Sequence, residues 1–232
     1  MDNMRAAVLG AGAWGTALAV VLARSGRPAT LAVRRGIQAA ALRESRQNSV
    51  YLPGIELPEN LTISDRWRET AAESGLIIMA IPSSFARNAM RAVAQAIRPG
   101  SIIVSATKGI EADSFKTMTA MLAETVPAGI HLAALSGPGF AAEIAGGKPA
   151  ALVAAASEDN IARAVQQIFA VRYFRVYRSS DVIGVELAGA AKNVIAIAAG
   201  ISDGLMLGSS ARAALVTRGL AELSRLVMAL GG

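Results

Sequence analysis

With no cysteine and a single histidine, His131, among 232 residues, proton transfer in this chain falls to its lysines and carboxylates. Thiol nucleophiles, disulfide scaffolds, cysteine-ligated zinc and iron–sulfur clusters are excluded. A lone histidine argues against His-based metal sites and His-centred triads. The segment VELAGAAKNVIAIAAG, residues 185–200, is the most unusual in the chain. A helix that is apolar on nearly every side is expected to be buried, yet this one carries Glu186, Lys192 and Asn193. Burial of a lysine disfavours its charged form and lowers its pKa. Lys192 is therefore a candidate acid/base near neutral pH. Glu186 and Asn193 share a helical face, and Asp203 would come close to that of Lys192. A structural Lys–Glu or Lys–Asp pair fits the same residues, and the spacing leaves both readings open.

The second chemical signal is Gly10-x-Gly12-x-x-Gly15, placed between the short apolar run Ala6–Leu9 and an Ala/Leu-rich helical stretch. The first glycine permits the tight turn and the second lets backbone approach a pyrophosphate. The third lets the helix pack on the strand. An anion then meets the free N–H groups of the helix N-terminus. An acid about twenty residues further on usually holds the ribose of NAD, but Arg34 and Arg35 stand at the end of the second strand instead. Guanidinium forks suit a 2′-phosphate, so NADP is expected over NAD. Lys108 follows a buried strand, where ligands of open α/β sheets bind; position alone fits an anion contact and a loop lysine equally. The loop Ser136-Gly137-Pro138-Gly139-Phe140-Ala141 reads most simply as a turn, although its small residues let backbone approach a ligand.

These residues need a scaffold. A 53% hydrophobic and 17% charged composition excludes disorder. Strands are expected at Ala6–Leu9, Ala29–Val33, Leu76–Ile81, Ser101–Ala106, His131–Leu135, Ala150–Ala155 and Phe174–Tyr177. Helices are expected at Ser84–Ala96, Ser114–Glu124 and Asp159–Ala170. This alternation predicts an α/β fold, a Rossmann-like, doubly wound, mostly parallel sheet. From Asp181 onward two helices are expected, Val182–Gly200 and Ala211–Leu230, the second capped by Ser209 or Ser210. The expected division is 1–180 for the dinucleotide and 181–232 for a partial helical substrate domain. A net charge of +6 from scattered basic residues disfavours nucleic acid and fits a small anion. No signal peptide and no membrane span are expected, because charges break the apolar stretches, which points to the cytoplasm.

Taken together, GAGAWGTALA (10–19), NSVYLP (48–53), KGIE (108–111), SGPGFAAE (136–143), DVIGVELAGAAKNVIAIAAGISDG (181–204) and AALVTRGLAEL (213–223) resemble the bacterial-type NAD(P)-dependent glycerol-3-phosphate dehydrogenases. The resemblance implies reversible reduction of dihydroxyacetone phosphate to sn-glycerol 3-phosphate, for glycerophospholipid biosynthesis. It implies cofactor contacts from Ala13, Trp14, Arg34, Arg35, Tyr51 and Ala141, beside the three fingerprint glycines. Lys108 would touch both cofactor and substrate, Gly137 and Gly139 would meet substrate, and Lys192 would be the proton acceptor. The family often has Ser or Thr at the Gly139 position and usually Asn at that of Ser210. It also continues past the equivalent of Gly232, so a shortened relative that holds nucleotide with little turnover is the alternative expectation. Apolar surface left on the helical part is expected to be covered in a homodimer.

Overall fold

The computed structural model describes residues 4–232. Its chain begins as a strand–turn–helix unit: β1 (Ala6–Leu9), α1 (Ala13–Arg24) and β2 (Ala29–Ala32). The α/β alternation continues through α2 (Gly36–Ser45), β3 (Gln47–Asn48), β4 (Leu52–Glu56), β5 (Leu61–Ser64), α3 (Trp67–Ala72), β6 (Leu76–Met79) and α4 (Ser83–Val93). Then come β7 (Ile102–Ser105), α5 (Met118–Thr125), β8 (His131–Ser136), α6 (Ala141–Ala145), β9 (Ala150–Ala155), α7 (Asp159–Ile168) and β10 (Phe174–Ser179). Two long helices close the chain, α8 (Val182–Gly204) and α9 (Gly208–Ala229).

Eight strands form one sheet in the order β10-β9-β8-β7-β6-β1-β2-β5. All neighbours pair in parallel except β8 and β9. The Rossmann-like, mostly parallel sheet expected from the alternation is therefore present. Every residue of β1, β6 and β7 is buried, as in strands covered on both faces. One face packs Leu18 and Leu22 of α1 with Ile161, Val165 and Ile168 of α7. The other packs Ala86, Met90 and Val93 of α4 with Met118, Met121 and Leu122 of α5. Strand order reverses between β1 and β6, and there the carboxyl ends open a crevice.

Several boundaries differ from expectation for local physical reasons. The strands β3, β4 and β5 and the helices α2, α3 and α6 were not expected; β3, α3 and α6 are short, β5 offers only the pair Leu61 and Ile63, and β4 contains Pro53 and Gly54. Helix α5 starts at Met118, not Ser114, because Phe115 takes a left-handed φ of 55° and Thr117 is the N-cap. Helix α9 starts at Gly208 behind Leu207, so neither Ser209 nor Ser210 is its cap.

The apolar helix around Lys192 is the largest departure. Only Gly184, Glu186, Leu187, Gly189 and Ser202 of α8 are buried, and no residue of α9 is. The first half of α8 lies on the sheet, α9 packs along α8 with Gly219 beside Ile195 and Gly232 beyond it beside Gly184, and Val194, Ile197 and Ile201 are left exposed. By length and composition alone α8 is long and apolar enough to cross a membrane, with mean hydropathy 1.6, although its charges were expected to interrupt any such stretch. Its sheet contacts and its buried Glu186 are those of a helix within a folded unit.

Candidate active site

The loops at the carboxyl ends of the strands enclose a cavity of about 620 Å³. Gly10, Gly12, Ala13, Trp14 and Gly15 form its floor after β1, and Arg34 and Arg35 follow β2. Thr107 and Lys108 come after β7, with Gly139 and Ala141 after β8, and Tyr51 enters from the loop before β4. The ionisable groups lining the cavity are Arg34, Arg35, Lys108 and Tyr51, with no carboxylate among the described residues. Such a lining suits a polyanionic ligand.

Sterics explain the glycine spacing. Gly10 has φ +116°, and a Cβ there would stand 2.4 Å from the Ala80 carbonyl oxygen. A Cβ on Gly15 would stand 2.0 Å from the Gly10 carbonyl oxygen, so α1 packs against its own turn. Gly12, the N-cap of α1, has no atom within 4 Å of the corresponding point and lines the cavity. A side chain there would fill space that a pyrophosphate needs above the helix N-terminus. The residues present thus fit a dinucleotide. The turn is braced by buried Asn48, whose Nδ2 donates to the Ala11 carbonyl at 3.0 Å and to Thr16 Oγ1 at 2.8 Å.

Lys108 Nζ lies 5.0 Å from the Trp14 ring centroid, across the cavity from its own strand. Thr107 Oγ1 anchors the loop by donating to the Ile81 carbonyl at 2.7 Å. On the other side, Arg87 clasps Glu111 through two bonds of 2.7 Å. Arg87 and Ser114 hold the Glu111 carboxyl down to about 2. Burial, with the charge and hydrogen bonding of Lys192, pushes Lys108 down to about 8.

Lys192 is half-buried, less sheltered than its apolar helix led one to expect. Its amine is nonetheless near enough to Lys108 to act on that lysine's charge. The carboxylates considered as its structural partners are engaged elsewhere: Glu186 with Thr119, and Asp203 with Arg212 at 3.2 Å. Asn193 is exposed. Two amines, from the end of β7 and from α8, thus converge beside the cavity.

Gly137 is outside the cavity lining. Its φ is +147°, and a Cβ would lie 2.9 Å from a Leu152 methyl, so its backbone is pressed onto β9. Gln38, Trp67, Pro82 and Phe85 line the cavity without having been singled out in the sequence. Pro82 and Phe85 follow β6, so the rule that located Lys108 could have found them; Trp67 had no comparable signal.

The comparisons with known proteins agree along the whole chain. The family described as NAD-dependent glycerol-3-phosphate dehydrogenase N-terminus matches residues 5–162, and the corresponding C-terminus family matches 181–232. A curated relative from Citrifermentans bemidjiense, named glycerol-3-phosphate dehydrogenase [NAD(P)+], is 49% identical over 97% of this chain and 68% of its own. One of the same name from Geobacter sulfurreducens is 45% identical over 98% of this chain and 68% of its own. The crystal structure of a glycerol-3-phosphate dehydrogenase from Coxiella burnetii superposes with a TM-score of 0.93 at 36% identity, covering all of this chain and 71% of that one. On these matches the chain belongs to the NAD(P)-dependent glycerol-3-phosphate dehydrogenase family.

Proposed function

We propose that this protein interconverts dihydroxyacetone phosphate and sn-glycerol 3-phosphate with a nicotinamide dinucleotide, in the cytoplasm, for glycerophospholipid biosynthesis. The observation that carries the reading is a cavity above the glycine turn whose charged lining is entirely basic, with Lys108 at its edge and Lys192 near enough to act on that amine. When bound, the nicotinamide supplies the two electrons of the reduction. Gly10, Gly12 and Gly15 present the helix N-terminus to the pyrophosphate, with Ala13, Trp14, Tyr51 and Ala141 as flanking contacts. Arg34 and Arg35 form the fork for a 2′-phosphate, which favours NADP over NAD.

Substrate lies between this cavity and α8, beside the backbone of Gly137 and Gly139. Lys108 offsets its negative charge and orients it. Lys192, as ammonium, donates a proton to the C2 oxygen as charge develops there; as a neutral amine it accepts the hydroxyl proton in the reverse direction. Residues 1–180 are the cofactor-holding part and 181–232 contribute the proton-transfer side. A homodimer covers the apolar face of α8 and α9.

The test is loss of NADPH absorbance on adding dihydroxyacetone phosphate. Lys192→Ala is expected to lower kcat by roughly 100-fold or more, with the NADPH Kd within about threefold of the parent. Equal damage to both quantities contradicts the proton-transfer role. A chain that binds NADPH tightly but never turns over is a nucleotide-holding relative, and overturns the enzyme reading.

A further inference from the structure

Glu186 is a buried carboxylate that the chemistry above does not use. Its Oε1 accepts the Thr119 backbone N–H at 2.9 Å, and its Oε2 accepts the Thr119 hydroxyl. Thr117 is the N-cap of α5, so Glu186 grips the first turn of that helix. Burial pushes its carboxyl up, and these donors oppose the shift. The first-turn N–H groups of a helix have no intrahelical partner and favour a carboxylate.

The contact matters because of where each end leads. One helical stretch further along α8 stands Lys192; a short loop before α5 stands Lys108. Two amines brought together repel when both are charged, and most of the second half of α8 is not buried among the described residues. Besides the end of α9, where Gly232 packs on Gly184, three contacts bear on the first half. Asp181 caps α8 by accepting the Gly184 N–H at 2.7 Å. Gly189 lets the helix lie on the end of β8, where a Cβ would stand 2.3 Å from Ser136 Oγ. Glu186 alone of the three reaches the segment that carries Lys108, and the Arg87–Glu111 clasp stiffens that segment in between.

We propose that Glu186 is a positioning residue, whose bonds to Thr119 hold α8 against α5 at the spacing that sets Lys192 beside Lys108. The proposal deepens the dehydrogenase reading and rests on it for the roles of the two lysines. Glu186→Gln keeps the shape and can still accept the Thr119 N–H. Glu186→Ala removes the grip, and Thr119→Val removes its hydroxyl half.

The direct readout needs neither substrate nor cofactor: the pH dependence of amine labelling at Lys108 in the full chain, read by mass spectrometry. The parent midpoint is expected at about 8. In Glu186→Ala it rises by at least about half a unit, because Lys192 withdraws and water enters; Glu186→Gln stays near the parent. Correspondingly, kcat falls on the order of 100-fold in the Ala variant, with NADPH Kd nearly unchanged, and Gln restores most of it. A folded Glu186→Ala with the parent midpoint and kcat overturns the proposal, as does a Gln variant as damaged as Ala. Should Glu186→Ala not fold, Thr119→Val decides: a raised midpoint supports the proposal and an unchanged one overturns it. If the parent does not reduce dihydroxyacetone phosphate, the dehydrogenase reading fails, while the Lys108 midpoint still decides whether Glu186 sets the spacing.

Discussion

Lys108 ties the site to pH. Its folded-state pKa is lowered from 10.5 to about 8, so the amine is charged below that value and loses its attraction for a phosphorylated substrate above it. The expected outcome is a fall in kcat/KM for dihydroxyacetone phosphate as pH rises from 7 to 9, roughly in step with deprotonation, since kcat/KM reports groups of the uncomplexed enzyme. Lys108→Arg keeps its charge throughout and should flatten that limb while lowering the maximum. A steep alkaline limb surviving in Lys108→Arg assigns the titration elsewhere. The exposed Arg34 and Arg35 act by a separate route. On the proposed reading, replacing both with Ala removes charge-assisted bonds to a 2′-phosphate. It should raise the Kd for NADPH at least about tenfold and that for NADH less than about threefold. Fluorescence titrations of both nucleotides check this, and equal losses would dispose of the fork.

At the scale of elements, the glycine turn separates two jobs that one motif combines. Gly15→Ala puts a methyl 2.0 Å from the Gly10 carbonyl oxygen, so α1 must shift, and a loss of about 2–3 kcal/mol of stability is expected. Gly12→Ala meets no protein atom within 4 Å and should cost less than about 1 kcal/mol at this N-cap, yet weaken NADPH binding on the order of tenfold or more. Denaturation curves and nucleotide titrations on the two variants separate the effects; similar stability losses would mean that the turn has no room at Gly12 either. The turn was legible because its glycines sit between a strand and a helix, and the central buried strands β1, β6 and β7 were legible because each is a short apolar run. Asn48 was not, since its bond to the Ala11 carbonyl joins residues 37 apart and no local pattern announces such a contact. Lys192 was legible as chemistry in an apolar helix, but its influence on Lys108 was not: the residues are 84 apart in sequence and come near one another only through the tertiary seating of α8, to which Glu186 contributes by its bond to Thr119. The burial expected for that helix failed for a related reason, because composition shows what a helix would bury and not whether a partner is there to bury it.

Across the whole molecule, the two terminal helices present the feature that a monomer explains least. Val194, Ile197, Ile201, Leu205, Met206 and Leu220 are each more than half exposed, and α9 buries none of its residues. Isolated apolar side chains on a surface need no explanation, but Val194, Ile197 and Ile201 recur at helical spacing on α8, and apolar residues gathered on one helix and the turn after it are the mark of an interface. At 1.5 Å per residue the pair is about 33 Å long and roughly 20 Å wide, a face on the scale of the roughly 800 Å² that each partner contributes to a stable complex. A second copy of this chain supplies an identical stripe, and two-fold pairing lets each helix meet its own equivalent. The protein is therefore expected to sediment as a dimer at tens of micromolar. Ile197→Glu, which places a charge in the stripe away from Lys192 and Glu186, should shift it toward monomer without moving its thermal midpoint by more than a few degrees. Salt gives the second arm of the measurement: apolar association strengthens or holds as salt rises, whereas pairing through surface charges weakens over the same range. A parent that stays monomeric at that concentration rejects the dimer, and a dimer that Ile197→Glu leaves intact moves the interface off these helices.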